Sequence, residues 1–207
     1  MAALDLITLN EAKATLNISS GELEHDEEIA RFVTAVSERI DDLCGPVVAR
    51  SVTELHDGGR YALRPRSTPV AAVTTLTEYA HTTPTVLTAE TNVSKPADGY
   101  LLVDEWVHNV QIVRRSGGSD SYFPSGRRNV ELVYSSGRAA TTADVPDVFK
   151  MAAALTVQHM WRPSAGGWAQ SMQFDDTGRP SSPVAAWMVP KAVKELLADE
   201  LRPAGVA

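Results

Sequence analysis

The sequence predicts an α+β protein, a small helical bundle formed by N- and C-terminal helices with an inserted antiparallel β region. Three observations carry this prediction. Apolar residues recur every three or four positions between Ile29 and Leu43, short β-branched and aromatic runs separated by turn residues fill 47–135, and the helical period returns after Val145. With 207 residues, 43% hydrophobic and 22% charged, the chain has the make-up of a globular protein and is expected to form a single domain over 1–207. Within it we distinguish a helical part (8–44), a β-rich insertion (47–135), a helix (145–162) and a last stretch (163–207) of extended aromatic, proline-rich sequence ending in a terminal helix.

The first helix announces itself through Thr8-Leu9-Asn10-Glu11, a capping box in which the Thr8 hydroxyl accepts from the backbone and Glu11 reaches back. It should run to about Leu16. Ser19-Ser20-Gly21 then interrupts, and His25-Asp26-Glu27-Glu28 sets acidic residues at the positive end of a second helix. Ile29, Phe32, Val33, Val36, Ile40 and Leu43 line one face of that helix, and Gly45-Pro46 ends it.

Strands are expected at 47–55, 70–79, 100–103, 107–114 and 130–134, with turns at Asp57-Gly58-Gly59, Pro96-Ala97-Asp98-Gly99 and Ser116-Gly117-Gly118-Ser119. Proline in a first helical turn marks the third helix at Val145-Pro146-Asp147, with Val148, Met151, Ala152, Leu155 and His159 on one face. Residues 163–189 resist regular structure yet hold Trp168, Met172, Phe174, Trp187 and Met188, and Pro190 opens a last helix through Val193, Leu196, Leu197 and Leu201. Such side chains either fold back onto their own core or concentrate where protein surfaces meet. We therefore take Trp168, Met172, Phe174, Trp187, Met188, Leu196, Leu197 and Leu201 as candidate partner-binding residues.

No catalytic or cofactor signature appears in the sequence: GxSxG, a phosphate loop, HExxH and GxGxxG are all missing. His25, His56, His81, His108 and His159 stand singly, so catalytic, cofactor and metal sites are all expected to be absent. His56-Asp57 is explained by the glycine turn that follows it, and Asp175-Asp176-Thr177-Gly178 lacks the alternating oxygens of a calcium loop. Cys44 is the only cysteine and reads as a small core residue, which fits a reducing compartment. The net charge of -7 repels nucleic acid and anionic membrane. Arg114, Arg115, Arg127 and Arg128 form the adjacent basic pairs and are expected at solvated strand ends and in a loop. No secretion signal or stretch of membrane-span length is seen.

Leu6-Ile7-Thr8-Leu9-Asn10-Glu11-Ala12-Lys13-Ala14-Thr15-Leu16, followed by acidic residues and a long amphipathic helix, resembles the opening of the head-tail connector (adaptor, head-completion) proteins of long-tailed bacteriophages. The recognisable piece is the pattern I-T-L-x-E-A-K-x-x-L. The helix after Val145, closing on His159-Met160-Trp161-Arg162, Pro69-Val70-Ala71-Ala72-Val73 and the ending Leu196-Leu197 with Arg202-Pro203 are similar to further family segments. The resemblance covers about half the chain.

This resemblance implies a non-enzymatic virion protein without cofactors. It would sit at the neck, form a homo-oligomeric ring of twelve subunits under the portal protein, and present a docking surface to a downstream stopper or tail protein. DNA would pass through its channel without sequence-specific binding, assembly would take place in the host bacterial cytoplasm, and no membrane is involved. The C-terminal segment would hold the portal. Competing readings are another neck or tail-completion protein, and a small hydrolase or ligand-binding module with a cleft near His56 and His108.

Overall fold

The computed structural model describes residues 2–81, 83–104, 109–164 and 189–201. They form an α+β fold that divides into two compact units, a helical one from 2–48 and 139–201 and a β one from 49–138. No described helix is long and apolar enough to cross a membrane.

In the helical unit, α1 (Leu9–Thr15) begins at the predicted capping box. The Thr8 hydroxyl accepts from the Glu11 N–H at 3.2 Å, and Glu11 Oε2 accepts from the Thr8 N–H at 2.6 Å. α2 (Asp26–Cys44) buries Ile29, Val33, Val36 and Ile40, leaving Phe32 and Leu43 at the margin of the core. Gly45 turns the chain at φ 83°, a conformation that glycine adopts without strain, and the Val47 N–H donates to Asp41 Oδ1 at 3.0 Å.

The third helix, α3 (Asp147–Ser164), buries a face rotated from the one predicted, keeping Ala152 in the core and Val148 against it. Phe149, Ala152, Ala153, Thr156 and Val157 point inward, whereas Met151 and Leu155 are 55% and 37% exposed. This helix is apolar around much of its circumference, so periodicity alone does not select a face. The two alanines allow close approach and Phe149 fills the space beside them. α4 (Lys191–Leu196) stops at Leu197, where a 3-10 turn (Ala198–Glu200) replaces the predicted continuous helix to Leu201.

Two sheets make up the β unit. The first has the order β1-β9-β3-β4, formed by β1 (Arg50–His56), β9 (Val130–Ser136), β3 (Val70–Ala80) and β4 (Thr83–Val86), and all its pairs are antiparallel. The second has the order β2-β7-β6-β5, from β2 (Ala62–Leu63), β7 (Val110–Ser116), β6 (Gly99–Asp104) and β5 (Thr88–Ala89), with β8 (Ser119–Asp120) hairpinned onto β7. Only the two-residue β5–β6 pairing is parallel among the described strands. Gly117 and Gly118, at φ 55° and 87°, make the β7–β8 turn at the predicted position.

Strict alternation along β9 buries Val130, Leu132, Tyr134 and Ser136, and the first three meet Leu76 of β3 and Ile112 of β7 in one core. The same alternation on β7 turns Arg114 to the side of Val110 and Ile112, so Arg114 is buried instead of solvated. It is neutralised there by Glu78, through Nε at 3.0 Å and Nη2 at 2.9 Å, and by Asp98 at 2.9 Å. Arg115 pairs with Glu90 at 3.0 Å and with Asp120. Two of the predicted surface arginines are thus internal ties of the β unit.

Candidate interaction groove and acidic knob

Two features of the described surface combine unsatisfied charge with shape. The first is a groove of about 1180 Å³ in the β unit, walled by β1, the 57–66 segment, Gln111, Tyr122, Arg128 and Glu131. Its floor is set by Glu54, the one buried residue of β1. Glu54 accepts from Tyr134 Oη at 2.6 Å and from the Arg66 N–H at 3.2 Å, and contacts His56 Nε2 at 2.8 Å. Burial raises the pKa of this carboxyl, but the His56, Tyr134 and Arg66 hydrogen bonds outweigh it, and the net displacement is below the ordinary 4.5. The Tyr134 hydroxyl is pushed the other way by burial and by Glu54.

One end of the groove is closed by the Asp57-Gly58-Gly59 turn. Asp57 Oδ1 accepts from the Arg128 N–H at 2.7 Å, and Asn129 ties Gly58 to Pro124. A Cβ on Gly58 would lie 1.8 Å from the Pro124 carbonyl oxygen, so this position requires glycine. His56 therefore pairs with Glu54 and not with Asp57, whose role is to hold the turn.

The carboxylates of the groove are committed. Glu54 and Asp57 are engaged as described, and Glu131 accepts from Tyr79 Oη at 3.3 Å. By contrast the exposed guanidinium groups of Arg60, Arg64, Arg66 and Arg128 make no ion pair or side-chain hydrogen bond among the described residues. Tyr61 and Tyr122, 52% and 70% exposed, meet edge-on at 6.5 Å on the same rim. The groove thus offers free positive charge around an aromatic pair.

The second feature belongs to the helical unit and begins with Lys13, a buried lysine in the third position of the E-A-K piece. Its Nζ donates to Ser20 O at 3.2 Å, to Glu22 O, and to Asp26 Oδ1 at 2.6 Å. This pin fixes the loop between α1 and α2 with Leu23 at its tip, 72% exposed. Glu22, Glu24 and His25 beside it each place one side-chain ligand atom within 4.8 Å of the others. Glu22 and Glu24 have no cationic partner among the described residues.

Of the candidate partner-binding residues, Trp168, Met172, Phe174, Trp187 and Met188 lie outside the described residues, as do His108 and Asp175–Gly178. Leu197 is fully buried in the helical core and Leu201 packs against its edge, while Leu196 is exposed. Cys44 is buried at the end of α2, where the sequence placed it. The groove lies beside His56, where the competing reading set its cleft, but its arginine lining escaped sequence reading because those arginines are not adjacent. The spacing Arg60-Tyr61-x-x-Arg64-x-Arg66 was the available signal.

This fold has counterparts among solved structures. No family model matches the chain, and no curated protein does either. A chain in the structure described as "Neck of empty GTA particle computed with C6 symmetry" superposes with a TM-score of 0.62 at 17% identity, covering 99% of this chain and 96% of that one. A chain in "Virion of native gene transfer agent (GTA) particle" gives 0.57 at 16% identity, over 98% and 94%. One in "Neck of native GTA particle computed with C12 symmetry" gives 0.55 at 16%, over 99% and 98%. At these identities the likeness is one of fold, and it runs end to end.

Proposed function

We propose that this chain is a structural neck protein of a phage-like particle, a head-to-tail adaptor whose copies form a ring joining the portal to the next neck or tail protein. The observation that carries the reading is the fold likeness over 99% of this chain to a neck component that it covers to 96%. The connector-like opening supports it independently, since Lys13 and the Thr8 capping box, both inside the recognised pattern, are structural keystones of the helical unit. Two of the neighbouring structures are necks with sixfold and twelvefold symmetry, which favours a ring of this chain, and we take twelve as its number. In such a ring DNA passes without sequence-specific contact, and assembly takes place in the host bacterial cytoplasm.

Cryo-electron microscopy of purified particles tests this. Density for the chain in the layer directly touching the portal is the expected result, and density confined to another neck or tail layer would assign it to tail completion instead. The aromatic C-terminal segment is our candidate portal-binding arm. Deleting 165–188 should keep the helical circular-dichroism signal and abolish portal attachment, and retained attachment would release that segment from the role. The hydrolase reading finds little support: His56 is oriented by Glu54, but no described hydroxyl or thiol is hydrogen-bonded to it as a nucleophile.

A further inference from the structure

Charge is unevenly divided between the two units. Residues 49–138 carry ten Lys/Arg against nine Asp/Glu, whereas 1–48 with 139–201 carry eight against seventeen. The free arginines belong to the near-neutral unit and the free carboxylates to the strongly acidic one. Glu22, Leu23 and Glu24 present an apolar tip between two unpaired acids, and the groove presents an exposed tyrosine pair among four unpaired arginines.

We propose that the Glu22-Leu23-Glu24 knob of one copy seats in the β-unit groove of a second copy, Leu23 against Tyr61 and Tyr122 and the two carboxylates against Arg60, Arg64 and Arg66. The contact rests on the ring reading, which supplies the second copy. It joins two different patches, so it is heterologous, and a heterologous contact whose rotation closes generates a ring. The knob suits this task because it is pre-organised: Lys13 holds its backbone at Ser20 and Glu22, and less freedom is lost when it docks. A guanidinium placed between Glu22 and Glu24 also relieves the mutual repulsion of two carboxylates held close together. Duplex DNA is the weaker occupant, because the chain is acidic as a whole and the groove is a pocket with a buried carboxylate in its floor.

Cysteine cross-linking between singly substituted full-length chains tests the contact. L23C is mixed with T53C, a groove position outside the proposed pairing, and oxidised. The control partner is V93C, which is 97% exposed on the same unit. Native Cys44 is buried, and a wild-type mixture sets the background. We expect a heterodimer with T53C well above the V93C level, with R60A/R64A added to the T53C chain lowering its yield about tenfold and high salt lowering it further.

Equal yields with T53C and V93C, or a yield indifferent to the arginines, overturn the contact. Sedimentation of the wild-type chain and its place in the particle are read separately. Rings without the cross-link would sink the contact and leave the ring standing, and a cross-link in a chain that never enters the neck would do the reverse. A groove that binds a duplex oligonucleotide and gives no cross-link belongs to phosphate.

Discussion

Replacing Lys13 with methionine isolates the polar work of the pin, because methionine keeps an unbranched stem in the same channel and removes only the ammonium group. Three acceptors lose their donor: Ser20 O, Glu22 O and Asp26 Oδ1. Hydrogen bonds involving a charged group are worth about 1.5–3 kcal/mol each, and breaking a fully buried ion pair costs about 3–5 kcal/mol. The Asp26 side chain keeps 27% of its exposure and water can partly replace the ammonium, which brings the total to about 2–4 kcal/mol. Urea unfolding followed by far-ultraviolet circular dichroism reads the helical unit. With a slope of about 2 kcal/mol per molar, the midpoint should fall by about 1–2 M. Adding D26N should recover part of this by removing the stranded charge. A K13M midpoint within about 0.2 M of wild type would refute the reasoning.

Glu54 gives a pH-dependent test in the β unit. Its folded pKa lies below the ordinary 4.5, so its stabilising contribution is complete above that value and is lost as pH falls through the folded pKa. E54Q should be less stable at neutral pH and lose less on acidification, measured by urea midpoints in the tyrosine near-ultraviolet signal, and a wild-type–variant gap constant with pH would contradict this. R114M strands Glu78 in the core and should cost about 3–5 kcal/mol, with E78L/R114M recovering much of it; a loss under about 1 kcal/mol for the single variant would deny the pair its structural role. F149A should cost about 3–5 kcal/mol and M151A under about 0.5 kcal/mol in the helical transition, and the reverse order would restore the face of α3 that periodicity suggested.

Local chemistry made much of the fold legible. The capping box, the α2 stripe, the Gly45 stop and the Gly117-Gly118 turn act within a few residues of sequence, and each appears where it was predicted. Features that depend on distant partners did not. Arg114 resembled a solvated strand end until alternation along β7 aligned it with Glu78 of β3, thirty-six residues earlier in the chain. The inward face of α3 is rotated from the predicted one, sharing Ala152, because Met151 and Leu155 outrank alanine in hydrophobicity while close packing beside Phe149 selects the alanines. The groove is assembled from 53–66, 111, 122, 128 and 131, so no single window of sequence contains it. Lys13 was visible within a motif, but its burial follows from carbonyl groups that only the folded loop directs toward it.

The helical unit is interrupted in sequence by the whole β unit, yet it is closed at the interruption. Ala139 donates its N–H to Val47 O at 2.9 Å and bridges Val48, bringing the two ends of the break side by side. A guest segment leaving and returning at adjacent points imposes no stretch on its host, and lengthening such a segment costs only a logarithmically growing loop entropy. The break at Val48 and Ala139 is therefore a permissive address within the gene. Strands there can be added, trimmed or exchanged while α1 to α4 keep their own packing.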